Sequence, residues 1–421
     1  MSETLEQVTI QKLVHGGQGL AELADGRKVF VWNALPGETV GIRVIKNKRS
    51  YCEAIAEEII TASSERAEPQ EENYLATSPW QMMAYDAENR YKKAIITELF
   101  EHEKVSLPSV SDVVAPAGEW HYRNKMEYSF WGDDDGLHLA LYRRGSHGKQ
   151  IVTGSRLALP AIDAAANAVA AELSRLGARA GDLKTVIVRC NQKGEAVAAL
   201  FTKLDGFKKL ELPSELKGLR VYHSNPKSPA SVPTKLLYEL GDVTLQDELL
   251  GQVFTYDADS FFQVGIPIFE KALGRIKEHI TEPTITDMYA GVGSIGLSIA
   301  SQHVDLIELD PATAAMARLN AENSGLSVTV IEASSEKALD MITGEQPVIF
   351  DPPRAGLHDK VVDRVLETLP PKVVYLSCNP ATQARDLAKL QEKYEIKFFE
   401  IYNFFPHTPH IETLAILGLK R

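Results

Sequence analysis

Cysteine is scarce in this chain. Only Cys52, Cys190 and Cys378 occur among 421 residues, far apart and odd in number. That excludes a disulfide framework and fits a reducing compartment. No apolar run is long enough to cross a bilayer, and the start, Met1-Ser2-Glu3-Thr4, lacks the basic-then-apolar order of a secretion signal. A cytoplasmic protein with no membrane partner is the expectation. Positive charge is in deficit too: 45 Lys and Arg against 57 Asp and Glu leave a net charge of −12. A uniformly basic coat is excluded, so contact with nucleic acid has to come from local patches such as Lys46-Asn47-Lys48-Arg49 and Arg143-Arg144. What the chain does have is apolar content, 44%, and a length that suggests two or three domains.

Three regions differ in pattern. Residues 1–62 read as five short strands (8–14, 19–23, 28–32, 39–45 and 52–59) parted by Gly16-Gly17, Asp25-Gly26 and Pro36-Gly37. Five such strands suggest a small oligonucleotide-binding barrel, with residues 46–49 in one of its loops. Residues 63–240 read as a mixed α+β region: a charged linker at 63–73, helices over 82–100 and 162–176, and strands at 122–130, 137–142, 185–188 and 196–201. Residues 241–421 contain a strict strand–helix alternation from Thr284 onward, with strands at 284–287, 304–308, 328–332, 348–350 and 373–377. That alternation predicts an α/β domain with a parallel, doubly wound sheet. The last two apolar runs, 396–404 and 411–417, have no helix between them and predict an antiparallel pair at one edge.

Five segments carry chemistry. Ser377-Cys378-Asn379-Pro380 ends an apolar strand, which puts a thiol at the carboxyl edge of the sheet, where open α/β sheets bind their ligands. A free cysteine is more often a small buried hydrophobe than a nucleophile. Asp287-Met288-Tyr289-Ala290-Gly291-Val292-Gly293-Ser294-Ile295-Gly296 closes the first strand and opens a helix. Its glycines let the backbone approach a ligand, a pattern shared by dinucleotide sites and by S-adenosylmethionine sites. Asp287, beside the loop, argues against a pyrophosphate, and Glu308 ends the second strand, where a carboxylate suits two ribose hydroxyls. Asp351-Pro352-Pro353-Arg354 is a stiff loop aiming a carboxylate outward. Phe405-Pro406-His407-Thr408-Pro409-His410-Ile411-Glu412 places Glu412 among apolar neighbours, where a raised pKa suits a base. His407 and His410 have no partners at metal-ligand spacing, so no metal site is read. Ser260-Phe261-Phe262-Gln263-Val264 offers stacking rings and an amide, or simply core packing.

Taken together, these segments and Tyr122-Arg123-Asn124-Lys125 resemble the RNA uracil-C5 methyltransferase family, over nearly the whole chain. The first region resembles the TRAM domain carried by several of its members. The resemblance implies an S-adenosylmethionine-dependent, Rossmann-like catalytic domain that makes 5-methyluridine. Cys378 would add to C6 of uracil, Glu412 would remove the C5 proton and Asp351 would orient the base, which has to leave its stack. The cofactor would contact Gln263, Tyr289, Gly291, Gly293, Ser294, Glu308, Ser334 and Asp351. RNA phosphates would meet Lys46, Lys48, Arg49, Arg123 and Lys125. Many relatives hold a [4Fe–4S] cluster on four cysteines; residues 69–83 have none here and Ser155 stands near the fourth position, so no cluster is expected. Ala290, Ser334 and Asn403 also depart from the family pattern. A monomer acting on 23S rRNA is expected, with the T-loop uridine of tRNA as the alternative. A non-catalytic RNA-binding protein and an NAD oxidoreductase are the competing classes, and the Cys–Asn–Pro loop with Asp351 and Glu412 speaks against both.

Overall fold

The computed structural model describes residues 5–420. The first sheet has six strands rather than the expected five: Glu6–Thr9, Lys12–Leu13, Gly19–Glu22, Lys28–Trp32, Thr39–Asn47 and Tyr51–Thr61. The run 8–14 breaks because its backbone changes partners at a corner. Ile10 N donates to Glu38 O, while Gln11 N donates to Leu20 O. The basic patch also differs from expectation. Lys46 lies within a strand and pairs with Glu53 at 2.6 Å, and only Lys48 and Arg49 occupy the hairpin turn. The long, twisted hairpin simply extends further than its apolar residues suggest.

The second sheet has seven strands, with the helix Pro160–Arg175 packed on it through Ile162, Val169 and Leu173. Three of its strands escape a sequence reading: Lys149–Ile151, Gly218–His223 and Lys235–Gly241. The first is three residues long, and the last is an edge strand with no buried residue, so no apolar period marks it.

The third sheet is the expected doubly wound one. Its strands are β1 (Thr284–Asp287), β2 (His303–Glu308), β3 (Ser327–Glu332), β4 (Val348–Phe350), β5 (Lys372–Ser377), β6 (Tyr394–Tyr402) and β7 (Glu412–Leu419), in the spatial order β3-β2-β1-β4-β5-β7-β6. The first five are parallel, and β7 runs antiparallel to both β5 and β6. The order reverses between β1 and β4, which opens a crevice at the carboxyl ends of the strands.

Elements from earlier in the chain complete this domain's core. The helix Tyr85–His102 buries Ile95, Ile96 and Phe100 with Val361, Tyr375 and Phe399, and the Phe100 and Phe399 rings lie 5.0 Å apart. The hairpin formed by Thr244–Leu249 and Gln252–Asp257 packs Phe254 and Tyr256 against the helix Ile266–His279.

On the helix Tyr85–His102, Glu88 and Lys92 form an ion pair at 2.8 Å with no exposed side-chain surface on either residue. Both reach the segment joining β6 to β7. Lys92 Nζ donates to Asn403 Oδ1 at 2.6 Å and to Phe405 O at 3.2 Å. Glu88 accepts from Asn403 Nδ2 and from His407 N, each at 2.9 Å. Replacing Lys92 by Met leaves a buried carboxylate uncompensated and should cost about 3–5 kcal/mol of folding stability. The double change Lys92→Met with Glu88→Leu should recover most of it. Thermal or urea unfolding of the three proteins measures both effects.

Candidate active site

Four loops meet at the carboxyl edge of the third sheet, around a cleft of about 1030 Å³. The thiol and the carboxyl group of the Cys378 and Glu412 pair meet through register. Ser377, the last residue of β5, lies opposite Thr413 of β7, so Cys378 and Glu412 are the next residues along that ladder. Ser377 Oγ accepts from Asn379 N at 3.1 Å, and Pro380 then starts the helix Pro380–Leu390. The sulfur is thereby held on a tight strand-to-helix turn. Asp351 follows β4, whose Phe350 pairs with Tyr375 of β5. The side chain of Asn379 reaches across and donates to Arg354 O at 2.7 Å, locking the two loops together.

The glycine loop follows β1. Gly291 and Gly293 have φ of 57° and 90°, left-handed values that favour glycine. Gly291 N donates to Glu308 Oε2 at 3.0 Å and Asp310 N to Glu308 Oε1 at 2.7 Å, which fixes that carboxylate at the end of β2. Asp287 plays a different part from the one inferred from sequence. It is fully buried beneath the loop and accepts from Gly296 N at 2.9 Å. It folds the glycine turn and does not line the cleft.

The segment 260–264 is held from the second sheet, a contact that sequence reasoning missed. The buried Arg189 donates to Ser260 O at 2.7 Å and to Phe262 O at 3.3 Å, and Asn124 Nδ2 donates to Gln263 O at 2.8 Å. Phe262 stacks on Tyr256 in the core, ring centroids 4.2 Å apart. Phe261 is 62% exposed at the cleft. Gln263 Nε2 is thereby turned toward Asp351 Oδ2, at 3.3 Å.

Of the residues singled out from sequence, the cleft gathers Cys378, Glu412, Asp351, Gln263, Tyr289, Gly291, Glu308, Ser334 and Arg123. Gly293 and Ser294 sit behind the wall, at the start of the helix Ser294–Ile299. Lys125 stands opposite Arg189 in the second sheet, half-buried, and burial followed by the Arg189 charge pulls its pKa down to about 8. Lys46, Lys48 and Arg49 belong to the first sheet, outside the cleft. The cleft also holds Ser335, Arg354, Phe405 and His410, to which no role was given. Ser335 Oγ donates to Tyr289 Oη at 2.8 Å. His410 Nδ1 lies 3.5 Å from Arg354 Nη2; burial, then Arg354 and Arg123, lower its pKa to about 4, so it is neutral. His407 is buried against Trp120, ring centroids 4.0 Å apart.

Among the described residues, no group of three or more His, Cys, Asp and Glu is arranged to hold a metal ion. Cys52 and Cys190 are buried in the cores of two different sheets. No described helix is long and apolar enough to cross a membrane.

Burial dominates the electrostatics. It raises the Asp351 carboxyl to about 7, with help from the Asp287 charge. It holds Glu412 well above its ordinary range, with Asp351 adding and Arg354 opposing. It pushes the Cys378 thiol to about 11, with Glu412 and Asp351 adding and Arg354 opposing. The site therefore keeps a protonated thiol beside a protonatable acid, ready to exchange charge when a ligand changes the field.

A family profile described as tRNA (Uracil-5-)-methyltransferase matches residues 234–420, and a TRAM domain profile matches residues 4–56. An uncharacterized RNA methyltransferase of Enterococcus faecalis is 30% identical, with 98% of this chain and 96% of that protein aligned. One from Nitratidesulfovibrio vulgaris is 29% identical over the same shares. Among solved structures, the tRNA (uracil-54, C5)-methyltransferase of Pyrococcus abyssi in complex with S-adenosyl-L-homocysteine superposes with a TM-score of 0.77 at 22% identity. That match covers 98% of this chain and all of the other.

In the free protein, alkylation of Cys378 by iodoacetamide should be slow at pH 7 and rise toward a midpoint near 11. Removing the Asp351 charge in Asp351→Asn should lower that midpoint, and removing the cation in Arg354→Gln should raise it. Mass spectrometry of the Cys378 peptide across a pH series reads both shifts.

Proposed function

The chain belongs to the S-adenosylmethionine-dependent RNA uracil-C5 methyltransferase family, and from that premise we propose that it methylates C5 of one uridine through a covalent bond between Cys378 and C6. The observation that carries this reading is the adjacency of Cys378 and Glu412 on the β5–β7 ladder, with Asp351 in the same cleft. A nucleophile alone explains an adduct; a second group beside it is needed to release it.

The cleft fits the cofactor. Gly291 leaves the loop without a side chain where the backbone meets the ligand. The Glu308 carboxylate, fixed by two backbone N–H groups, suits the ribose hydroxyls, and Gln263 and Tyr289 line the same wall. When bound, S-adenosylmethionine supplies an electrophilic methyl group on a sulfonium.

The protein's own residues supply the rest. The Cys378 thiolate adds to C6, and the electrons displaced toward C5 make that carbon nucleophilic enough to take the methyl group. Asp351, whose pKa near 7 lets it donate or accept, holds the uracil edge opposite Gln263. Glu412 then removes the C5 proton. The electrons left on C5 re-form the C5–C6 double bond, and the Cys378 sulfur leaves C6. Arg354 opposes the raised pKa values of both Cys378 and Glu412, which makes thiolate and carboxylate accessible in turn. Carboxylate catalysis of this kind gains as pH rises through the Glu412 pKa.

For the RNA, our reading is a uridine of 23S rRNA. Its ground is the contact area that the barrel adds for a large substrate. The T-loop uridine of tRNA stands as a second reading, because a tRNA enzyme of Pyrococcus shares the whole fold, barrel included. Mass-spectrometric mapping of 5-methyluridine in cells lacking the gene should show loss at one 23S rRNA position. Loss from tRNA alone would overturn the rRNA reading, and loss from neither would overturn the methylation itself.

The two catalytic assignments separate cleanly. Cys378→Ala should form no covalent complex with 5-fluorouridine RNA. Glu412→Gln should accumulate a complex on ordinary uridine RNA, at least tenfold above wild type on a denaturing gel, because proton removal contributes about 10²–10⁴ in rate.

A further inference from the structure

The barrel touches the catalytic loops through one turn. Gly17 has φ of 97°, and a Cβ there would lie 2.3 Å from the Cβ of Pro409, so only glycine allows this approach. Trp80 fastens the contact from both ends: its Nε1 donates to Gly17 O at 3.0 Å and its N to His407 O at 3.1 Å. The turn is thereby pinned to the segment that runs on to His410 and Glu412.

This docking fixes where His15, two residues before Gly17, stands. Its exposed side chain lies in a groove that also contains Ala381, three residues beyond Cys378. Partial desolvation in the groove, followed by the Arg354 charge, lowers its pKa. The carboxylates of that groove are already engaged, Glu98 by Lys12 and Glu103 by His102. Arg354 itself is exposed and forms no salt bridge among the described residues, its Nη2 lying 3.5 Å from His410 Nδ1. Arg354 O in turn accepts from Thr382 Oγ1 at 3.3 Å, so His15 and Arg354 are both neighbours of the Ala381–Thr382 turn, one in the groove and one in the cleft. Arg123, another cleft residue without a salt bridge, has an Nε that is buried and unpartnered.

We propose that His15 and Arg354 form a phosphate seat, built jointly by the barrel turn and the catalytic loop, that grips the phosphodiester beside the everted uridine. The proposal rests on the RNA methyltransferase reading and deepens it: the barrel is a wall of the active-site entrance as well as an outlying RNA contact. An everted nucleotide swings about its flanking phosphates, so a grip there holds the base in the cleft. His15 donates a hydrogen bond as neutral imidazole and a stronger one if the phosphate draws a proton onto it.

Steady-state kinetics on substrate RNA, with S-adenosylmethionine binding measured separately, tests this. His15→Ala should raise KM for RNA about tenfold, the order of one charge-assisted hydrogen bond, with cofactor affinity unchanged and kcat at saturating RNA within twofold. His15→Lys should keep RNA affinity and steepen the log–log salt dependence of binding by about 0.7, as expected for one added phosphate contact to a single strand. A KM for His15→Ala equal to wild type would overturn the seat, as would a fall in kcat and cofactor affinity together, which marks general damage. If the wild-type protein forms neither 5-methyluridine nor the Cys378 complex, it is the functional reading that fails; if it forms both and His15→Ala is silent, only the seat fails.

Discussion

Strand β7 runs against β5, with Thr413 opposite Ser377, and this register sets the geometry of the whole site. A parallel sheet alone delivers one loop per strand to its carboxyl edge. Because β7 is reversed, its first residue, Glu412, arrives at the same edge as Cys378, the residue after the last of β5. The two functional groups are 34 positions apart in sequence and adjacent in the ladder. The segment before β7 has to be fixed for this to hold, and the buried Glu88–Lys92 pair, Trp80 and the Gly17 turn fix it from three sides. A buried ion pair is weak evidence for net stability. Its value here is to satisfy polar groups of a loop that is itself largely desolvated.

Desolvation is the second organising term. Asp351, Glu412 and Cys378 all have raised pKa values for the same first reason, removal from water; the Asp351 charge raises Glu412 further, and both carboxylates raise Cys378. Ionising one therefore makes ionising the next harder. Such a cluster holds few charges at rest and moves protons when a cation or a hydrogen-bonding base enters. Arg354 is the cation opposing both Cys378 and Glu412, and it is an exposed residue of the cleft whose Nη2 also lies 3.5 Å from His410 Nδ1.

Much of this was legible in the residue order. Strand–helix alternation after Thr284 predicts the parallel sheet, and the lack of a helix between the last two runs predicts the antiparallel edge pair. Glycine spacing marks the loop after β1, and strand ends mark Glu308, Asp351 and Cys378. What was not legible depended on partners distant in sequence. Asp287 was read as facing a ligand because it adjoins the glycines, whereas burial turns it inward to cap them. Arg189 carries no motif and Asn124 was given no role of its own, yet they hold the segment bearing Gln263. Lys46 reads as free positive charge until a cross-strand Glu53 is seen beside it.

Periodicity, glycine placement and strand-end chemistry are local properties, and they determined the fold class, the cleft's position on the sheet edge and the residue types at its centre. Local chemistry acts within a few residues, so the order of amino acids suffices for it. Which groups touch was decided only by tertiary structure: the β5–β7 register, the Glu88–Lys92 anchor and the docking of His15 and Gly17 beside the catalytic loops. Those contacts join residues separated by tens to hundreds of positions. Their energies come from desolvation and close packing, which exist only once the chain has folded.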